Sequence, residues 1–149
     1  MTNPLVSIVI PNWNGLQFLQ TCLDSLAQQT YEPIEVIIAD NASSDGSQAF
    51  IRENYPDVVL VELQENRGFT GACNAGMEAA RGQIVILLNN DTEVDPRWVT
   101  AIVDAFDRHP DVGMVASKML LFNERDHIHT AGDGFTVDGR PFNRGVCQK

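Results

Sequence analysis

The sequence predicts an α/β fold, a mostly parallel sheet with helices on both faces. Three observations carry that prediction. Short apolar runs alternate with amphipathic stretches four times along the chain. The runs are rich in Val, Ile and Leu, as strands buried on both faces require. Three of them stop at polar segments: Pro11-Asn12-Trp13, Asp40-Asn41 and Asn89-Asn90-Asp91. Alternating strands and helices imply right-handed crossovers, which bring the ends of parallel strands to one edge of the sheet.

Taken in order, Leu5 to Ile10 reads as the first strand, ended by Pro11, which cannot donate to a ladder. Asn12 to Gly15 is a turn. Leu16, Leu19, Leu23 and Leu26 then recur at helical spacing among Gln and Asp, which marks an amphipathic helix. Tyr31-Glu32-Pro33 breaks it. Ile34 to Ala39 is a second strand. Ala42 to Gly46 is a polar loop, with Ser44 or Asp45 placed to cap a helix that runs through Asn54. After the turn at Tyr55-Pro56-Asp57, Val58 to Leu63 is a third strand. Glu65 to Gly68 is a loop, and Phe69 to Arg81 is a helix of small residues. Ala72, Ala75, Gly76 and Ala79 share a face, so that helix should lie very close to the sheet or a ligand. Gly82 is expected to terminate it.

Ile84 to Leu88 is the fourth strand, expected to be buried on both faces. Asp95 and Pro96 then open a helix as N-cap and first-turn residue, with Trp98, Ile102, Ala105 and Phe106 as its buried face and His109-Pro110 as its stop. Val112 to Leu121 reads as a fifth strand. Residues 123–149 carry Gly132, Gly134, Gly139 and Gly145 and read as loops with a short hairpin. The chain leaves off after Cys147-Gln148-Lys149 without a closing element, so we expect a single domain over 1–149 that is the first part of a longer protein.

The formal charge of −10 argues against a nucleic-acid binder, which needs a basic face for backbone phosphates. A small phosphate ligand is compatible with that charge if a bound cation accompanies it. Cys22, Cys73 and Cys147 stand at wide, unrelated spacings, with neither a zinc pattern nor a disulfide framework; a reducing cytosol is the simpler setting. No basic segment precedes a long apolar run, and no run reaches membrane-spanning length. Peripheral membrane attachment through a further part of the protein stays open.

Ligands of open α/β sheets collect at the carboxyl ends of the strands, so the three polar strand ends are the candidate site. Asp40 is placed to accept a hydrogen bond from the N3–H of a pyrimidine base; its structural alternative is a turn or capping Asp. Trp13 is a base-stacking aromatic or a rim aromatic. Asp91 is the metal candidate, with Asn89 as a neutral oxygen donor, because Mg2+ takes one or two carboxylates and fills its other positions with water and phosphate oxygens. Mn2+ suits the same donors. Glu93 and Asp95 read as loop and cap residues. Arg67 precedes the small-residue helix and could reach a phosphate or hold the loop; its alternative is a solvated Arg. Asn74 could bond a ribose or a loop backbone. Asn12 and Asn90 complete the nucleotide-binding candidates. His127 and His129 would point the same way on a strand, but no third ligand lies near them in sequence. No Gly-x-Gly-x-x-Gly follows the first strand and no P-loop is present, which argues against a nicotinamide dehydrogenase and an NTPase.

Four segments in series, VSIVIPNWNG (Val6–Gly15), VIIADNASSDGS (Val36–Ser47), NRGFTGACNAGMEAARG (Asn66–Gly82) and ILLNNDTEVDP (Ile86–Pro96), closely resemble family 2 glycosyltransferases. Within that family they look like the rhamnosyltransferase-like branch. The resemblance implies a GT-A fold, a divalent metal, and inverting transfer of a sugar from a nucleoside diphosphate donor, UDP- or dTDP-linked, to a hydroxyl of a glycan or lipid-linked acceptor. By position, Pro11 and Trp13 match residues lining the base pocket, Asp40 the carboxylate that reads the base, and Arg67 a basic residue near the nucleotide. Asn89 to Asp91 match the Asp-x-Asp metal motif with its first Asp replaced, leaving Asp91 as its one carboxylate. The resemblance also implies a downstream carboxylate base that takes the acceptor's proton. No such motif is found here; Asp133, in AGDG, reads as a turn. The chain therefore reads as the donor-binding part of such an enzyme, inactive alone.

Two other readings compete. A sugar nucleotidyltransferase would show a basic, Gly-rich loop after the first strand, and Pro11 to Gly15 holds no Lys or Arg. A non-catalytic nucleotide-binding or interaction domain would keep the fold without turnover.

Overall fold

The computed structural model describes residues 3–146 and Gln148. The chain forms two compact units, Met1–Thr100 and Ala101–Lys149.

The first unit is built on a four-stranded parallel sheet of order β3-β2-β1-β4, with β1 Val6–Asn12, β2 Ile34–Asp40, β3 Val59–Glu62 and β4 Ile84–Leu87. Its helices are α1 (Leu16–Ala27), α2 (Ser47–Asn54) and α3 (Gly68–Ala79), and α4 (Trp98–Arg108) begins within it. β1 and β2 supply the densest part of the core, with Val6, Ile8, Val9, Ile10, Ile37 and Ile38 fully buried. Leu19, Cys22, Leu23 and Leu26 give α1 one buried stripe, as their spacing dictates.

α3 covers the other face of the sheet. A methyl group at Gly76 would stand 2.3 Å from Val9 Cγ1 and 3.3 Å from Ala39 Cβ, so the helix backbone approaches as closely as its small residues promised. The helix stops at Ala79 with Ala80 extended, two residues short of the expected last helical residue, Arg81. Gly82 serves a different purpose: a side chain there would strike Leu5 O and Ser7 N of the neighbouring segment at 2.7 Å.

Two strand expectations are corrected. β1 continues through Pro11 to Asn12, opposite Ala39 and Asp40. In a strand both backbone groups of a residue point to one side. Val9 O accepts from Leu88 N and Asn12 O accepts from Asn41 N, so Pro11 faces β4, which has already ended, and no donor is missed. β4 is buried on one face only: Ile86 is covered, whereas Val85 and Leu87 are 43% and 49% exposed. It lies at the edge of the sheet, while α3 packs mainly on β1 and β2.

α4 starts at Trp98, two residues later than expected, with Pro96 and Arg97 in a turn ahead of it that Asp95 holds. Asp95 Oδ1 accepts from Arg97 N at 2.8 Å and Asp95 O from Trp98 N at 2.9 Å. Gln29 braces this start by donating to Asp95 O and accepting from Val99 N. The buried positions are Val99, Ile102 and Val103 rather than Trp98, Ala105 and Phe106, so the apolar stripe is rotated by about one residue.

The second unit holds small antiparallel pairs. The strand expected over 112–121 reduces to β5, Met119–Leu120, paired with β6, Ile128–Thr130. Gly113, Ser117 and Lys118 interrupt its apolar run, and most of the segment is exposed. The expected hairpin is β7, Asp133–Phe135, with β8, Pro141–Asn143. Asp133 opens β7 instead of forming a turn, and the turn conformation falls to Gly132 at φ +101°. Cys147 lies outside the described residues.

Candidate functional site

The parallel register puts the carboxyl ends of β1, β2 and β4 at one edge, and a chain of side chains joins them. Asn12 is opposite Asp40 in the ladder. Asn12 Nδ2 donates to Asp40 Oδ1 at 2.9 Å, and Asn90 Nδ2 donates to Asn12 Oδ1 at 2.7 Å. Asn90 stands beside Asp91, so Asp40 and Asp91 belong to the same edge of the sheet.

Gly15 is what lets that chain pass. A methyl group on it would lie 2.1 Å from Asn90 Nδ2 and 2.5 Å from Asn12 Oδ1. The Asn12–Asn90 bond crosses directly over its Cα.

Asp40 is fully buried, and its second oxygen is also taken. Oδ2 accepts from Ser43 N at 3.0 Å and from Gln48 Nε2 at 2.6 Å. Burial works to raise its pKa, but the donors from Gln48, Ser43 and Asn12 outweigh it and hold the carboxyl below the usual carboxylate range. Asp40 is thus an ionised acceptor held by protein donors at the carboxyl end of β2.

Asn41, part of the second strand end but given no role of its own from the sequence, organises the other side of the site. It is buried; its Nδ2 donates to Asn66 Oδ1 at 2.8 Å and to Gly68 O at 3.1 Å, and its Oδ1 accepts from Arg67 N at 2.8 Å. One side chain therefore fixes the loop that carries Arg67. The Arg67 side chain is 56% exposed, with its Nε 3.9 Å from Glu65 Oε1.

Asp45 joins the two loops that precede α1 and α2. Its Oδ2 accepts from Leu16 N at 2.9 Å, and its Oδ1 from Ser47 N at 3.0 Å and Ser47 Oγ at 2.6 Å. Burial raises its pKa, but the Ser47 and Leu16 donors prevail and lower it. One carboxylate thus sits at the positive ends of both helices and takes the first N–H of each. The sequence reading saw Asp45 only as the cap of α2; its second helix, 29 residues back in the chain, was not visible in local spacing.

The remaining candidates are arranged as follows. Trp13 is 58% exposed at the end of β1 and Pro11 is half-buried within it. Asn74 is exposed on α3. Asn89 and Asp91 are exposed, and Asn89 O accepts from Thr92 Oγ1 at 2.7 Å. The Cys22 thiol is packed 3.9 Å from Asn89 O; burial, chiefly, pushes its pKa up to about 11. Its role is packing, as is that of buried Cys73. In the second unit His127 turns to Asp126 at 2.9 Å and Glu124 at 3.5 Å, while His129 is exposed on β6.

Among the described residues no group of three or more His, Cys, Asp or Glu gathers around a common point. Asp91, preceded in sequence by Asn89 and Asn90, offers an all-oxygen donor set with one carboxylate. It is too sparse for a closed metal cage. It does fit Mg2+ or Mn2+ arriving with a diphosphate, whose oxygens complete the shell.

The architecture is that of the GT-A glycosyltransferases. The profile of "Glycosyl transferase family 2" matches residues 7–144, and the chain belongs to that family. An uncharacterized glycosyltransferase, alr2836, of Nostoc sp. is 34% identical over 113 residues, covering 74% of this chain and 35% of that protein. The O-antigen biosynthesis protein RfbC of Myxococcus xanthus is 36% identical over 122 residues, 79% of this chain and 10% of that protein. Among solved structures, the mannosyltransferase PcManGT from Pyrobaculum calidifontis, in complex with GDP-Man and Mn2+, superposes with a TM-score of 0.61 at 29% identity, over 70% of this chain and 32% of that one. The chain thus spans about a third or less of each of these proteins.

Proposed function

We propose that this chain is the donor-binding part of an inverting glycosyltransferase, which moves a sugar from a nucleoside diphosphate to a hydroxyl acceptor. One observation carries the reading: Asp40, Asn12 and Asn90 tie three strand ends together and set Asp91 at the edge where such sheets take their ligands. The rhamnosyltransferase-like motifs favour a UDP- or dTDP-linked donor. The bound GDP-Man of PcManGT makes GDP a further candidate. The likeness to an O-antigen biosynthesis protein supports a role in cell-surface polysaccharide synthesis, with the protein on the cytoplasmic side, peripheral to the membrane.

In this reading Trp13 offers its exposed face to the base and Arg67 reaches the diphosphate. Asp91, with Asn89, holds a divalent cation, which when bound neutralises the diphosphate and the charge left on it as the sugar departs. Asn41 keeps the Arg67 loop in place. The acceptor site and the proton-accepting carboxylate are assigned to the remainder of the full-length protein.

Calorimetric titration with UDP, dTDP and GDP, each with and without Mn2+, tests this. Binding of at least one nucleotide, tightened by Mn2+ and weakened by Asp91→Asn, is expected. No binding by any of them in a folded sample would refute it and favour a non-catalytic interaction domain.

A further inference from the structure

Between Leu88, whose N–H bonds to Val9 O, and Trp98, where α4 begins, the chain runs without a helix or a ladder. Asp91 stands in this stretch, in a turn that Thr92 Oγ1 closes on Asn89 O. Backbone groups outside regular structure still need partners. Here α1 and the residues just beyond it supply them. Ser25 Oγ accepts from Val94 N at 3.2 Å. Gln29 Nε2 donates to Asp95 O at 2.8 Å, and Gln29 Oε1 accepts from Val99 N at 3.0 Å. Thr30 N and Oγ1 both donate to Pro96 O, at 2.9 and 3.1 Å. Ahead of them the Cys22 thiol packs 3.9 Å from Asn89 O. Cys22, Ser25 and Gln29 follow one another at helical spacing, so they form a row. Their partners ascend in the same order, and the segment is laid along α1.

Ser25 is built for this task. Its side chain is 5% exposed. Its one hydroxyl proton goes to Cys22 O at 2.7 Å. Val94 N–H can only donate, so it meets the hydroxyl's lone pairs. The helix thus orients Ser25 as an acceptor for the loop. Asp91 lies in neither a helix nor a strand, so its carboxylate is only as well placed as the two ends of its turn. The Asn90 bond to Asn12 fixes one end on β1; Ser25 and Gln29 fix the other on α1.

We propose that Ser25 and Gln29 are positioning residues, which hold the segment after Asp91 against α1 and so set where that carboxylate stands for a diphosphate-bound cation. The proposal rests on the donor-binding reading for its ligand. A loop released at Val94 samples other positions, and apparent affinity falls with the fraction that stays competent. If that fraction drops to about a tenth, the cation binds about tenfold more weakly.

Mn2+ titrated into the protein with a fixed excess of UDP reads this effect. Ser25→Ala should raise the Mn2+ dissociation constant about tenfold. Ser25→Thr keeps a hydroxyl that can bond back to the helix and should restore the constant to within about threefold of wild type. Glu35→Gln, which disturbs the bonds to Ser7 and Arg81 at the amino end of β2, is the control for lost stability and should stay within about twofold. A constant unchanged in Ser25→Ala, or raised equally by Glu35→Gln, would overturn the proposal. If Ser25→Ala does not fold, Gln29→Ala, at a half-buried position, replaces it, with Val99 in place of Val94 below.

A second readout needs no ligand. Amide hydrogen exchange at Val94 should quicken about tenfold in Ser25→Ala, while Leu88, bonded to Val9 O, keeps its wild-type rate. Unchanged exchange at Val94 would overturn the tether itself. Quickened exchange in a protein whose wild type binds no nucleotide would sink the donor-binding reading and leave the tether standing.

Discussion

Asp45→Ala removes one carboxylate and, with it, the caps of two helices. In the wild type Leu16 N and Ser47 N, each in a first turn, donate to Asp45 at 2.9 and 3.0 Å. Loss of a capping side chain costs roughly 0.5–2 kcal/mol, typically about 1. Two ends therefore cost about 2 kcal/mol, or about 6 °C in melting temperature for a chain of this length. Asp45→Asn is the control, because Asn caps nearly as well as Asp but lacks the charge that favours a helix N-terminus. Its loss should be well under that of Ala.

The charge component has a defined pH dependence. The folded pKa of Asp45 is lowered, with the donors of Ser47 and Leu16 overcoming burial. Its contribution is therefore complete above the unfolded-state value of about 3.9 and fades as pH falls through the lower folded value. The gap between wild type and Asp45→Asn should be constant at neutral pH and close in acid. Urea and thermal unfolding followed by far-ultraviolet circular dichroism measure both effects. A loss below about 0.5 kcal/mol for Asp45→Ala would show that water serves both helix ends as well, and would refute the two-helix cap.

Other perturbations test neighbouring parts of the structure. Gly76→Ala should cost about 1–3 kcal/mol through overpacking against Val9, and Val9→Ala in the same chain should return part of it in a double-mutant cycle. Glu35 is 8% exposed and bonded to Ser7 Oγ and to Arg81; burial raises its pKa, but those donors lower it overall. Its stabilisation is therefore present above the unfolded carboxylate value and lost in acid, and Glu35→Gln should flatten the acid limb of the stability curve. Asn41→Ala leaves Arg67 N without its acceptor and should cost about 1–3 kcal/mol, with faster hydrogen exchange at Arg67 and Gly68. Cys22, with its thiol near pKa 11, and buried Cys73 should resist iodoacetamide in native protein at pH 8 and react on unfolding, as peptide mapping would show.

Local pattern decided the elements whose residues speak for themselves. The leucine spacing of α1 and the small-residue face of α3 were legible because burial and close approach leave a periodic mark. Pro11 misled because the ladder side it faces depends on where β4 ends, a fact of tertiary register. Val85 and Leu87 misled because an apolar run does not report which face of an edge strand is covered. At the site, the three strand ends could be read from the alternation of elements. Their wiring could not. Asn12 and Asn90 are 78 residues apart, and nothing local separates an Asn that bonds a ligand from one that orients another Asn. Asn41 and Gln48 were missed for the same reason. One signal was available for Gly15: a glycine directly after Asn14 and before a helix invites the question of what its missing side chain would strike.

The most direct measurement is paramagnetic broadening of the amide spectrum by substoichiometric Mn2+ in the presence of UDP. Signals of Asn89 to Thr92, together with those of Asn12 to Asn14, should broaden first, and Asp91→Asn should abolish the effect. Broadening centred instead on exposed acidic residues such as Glu53, Asp104 and Asp107, with the strand tips untouched, would contradict a diphosphate and its cation binding at this edge.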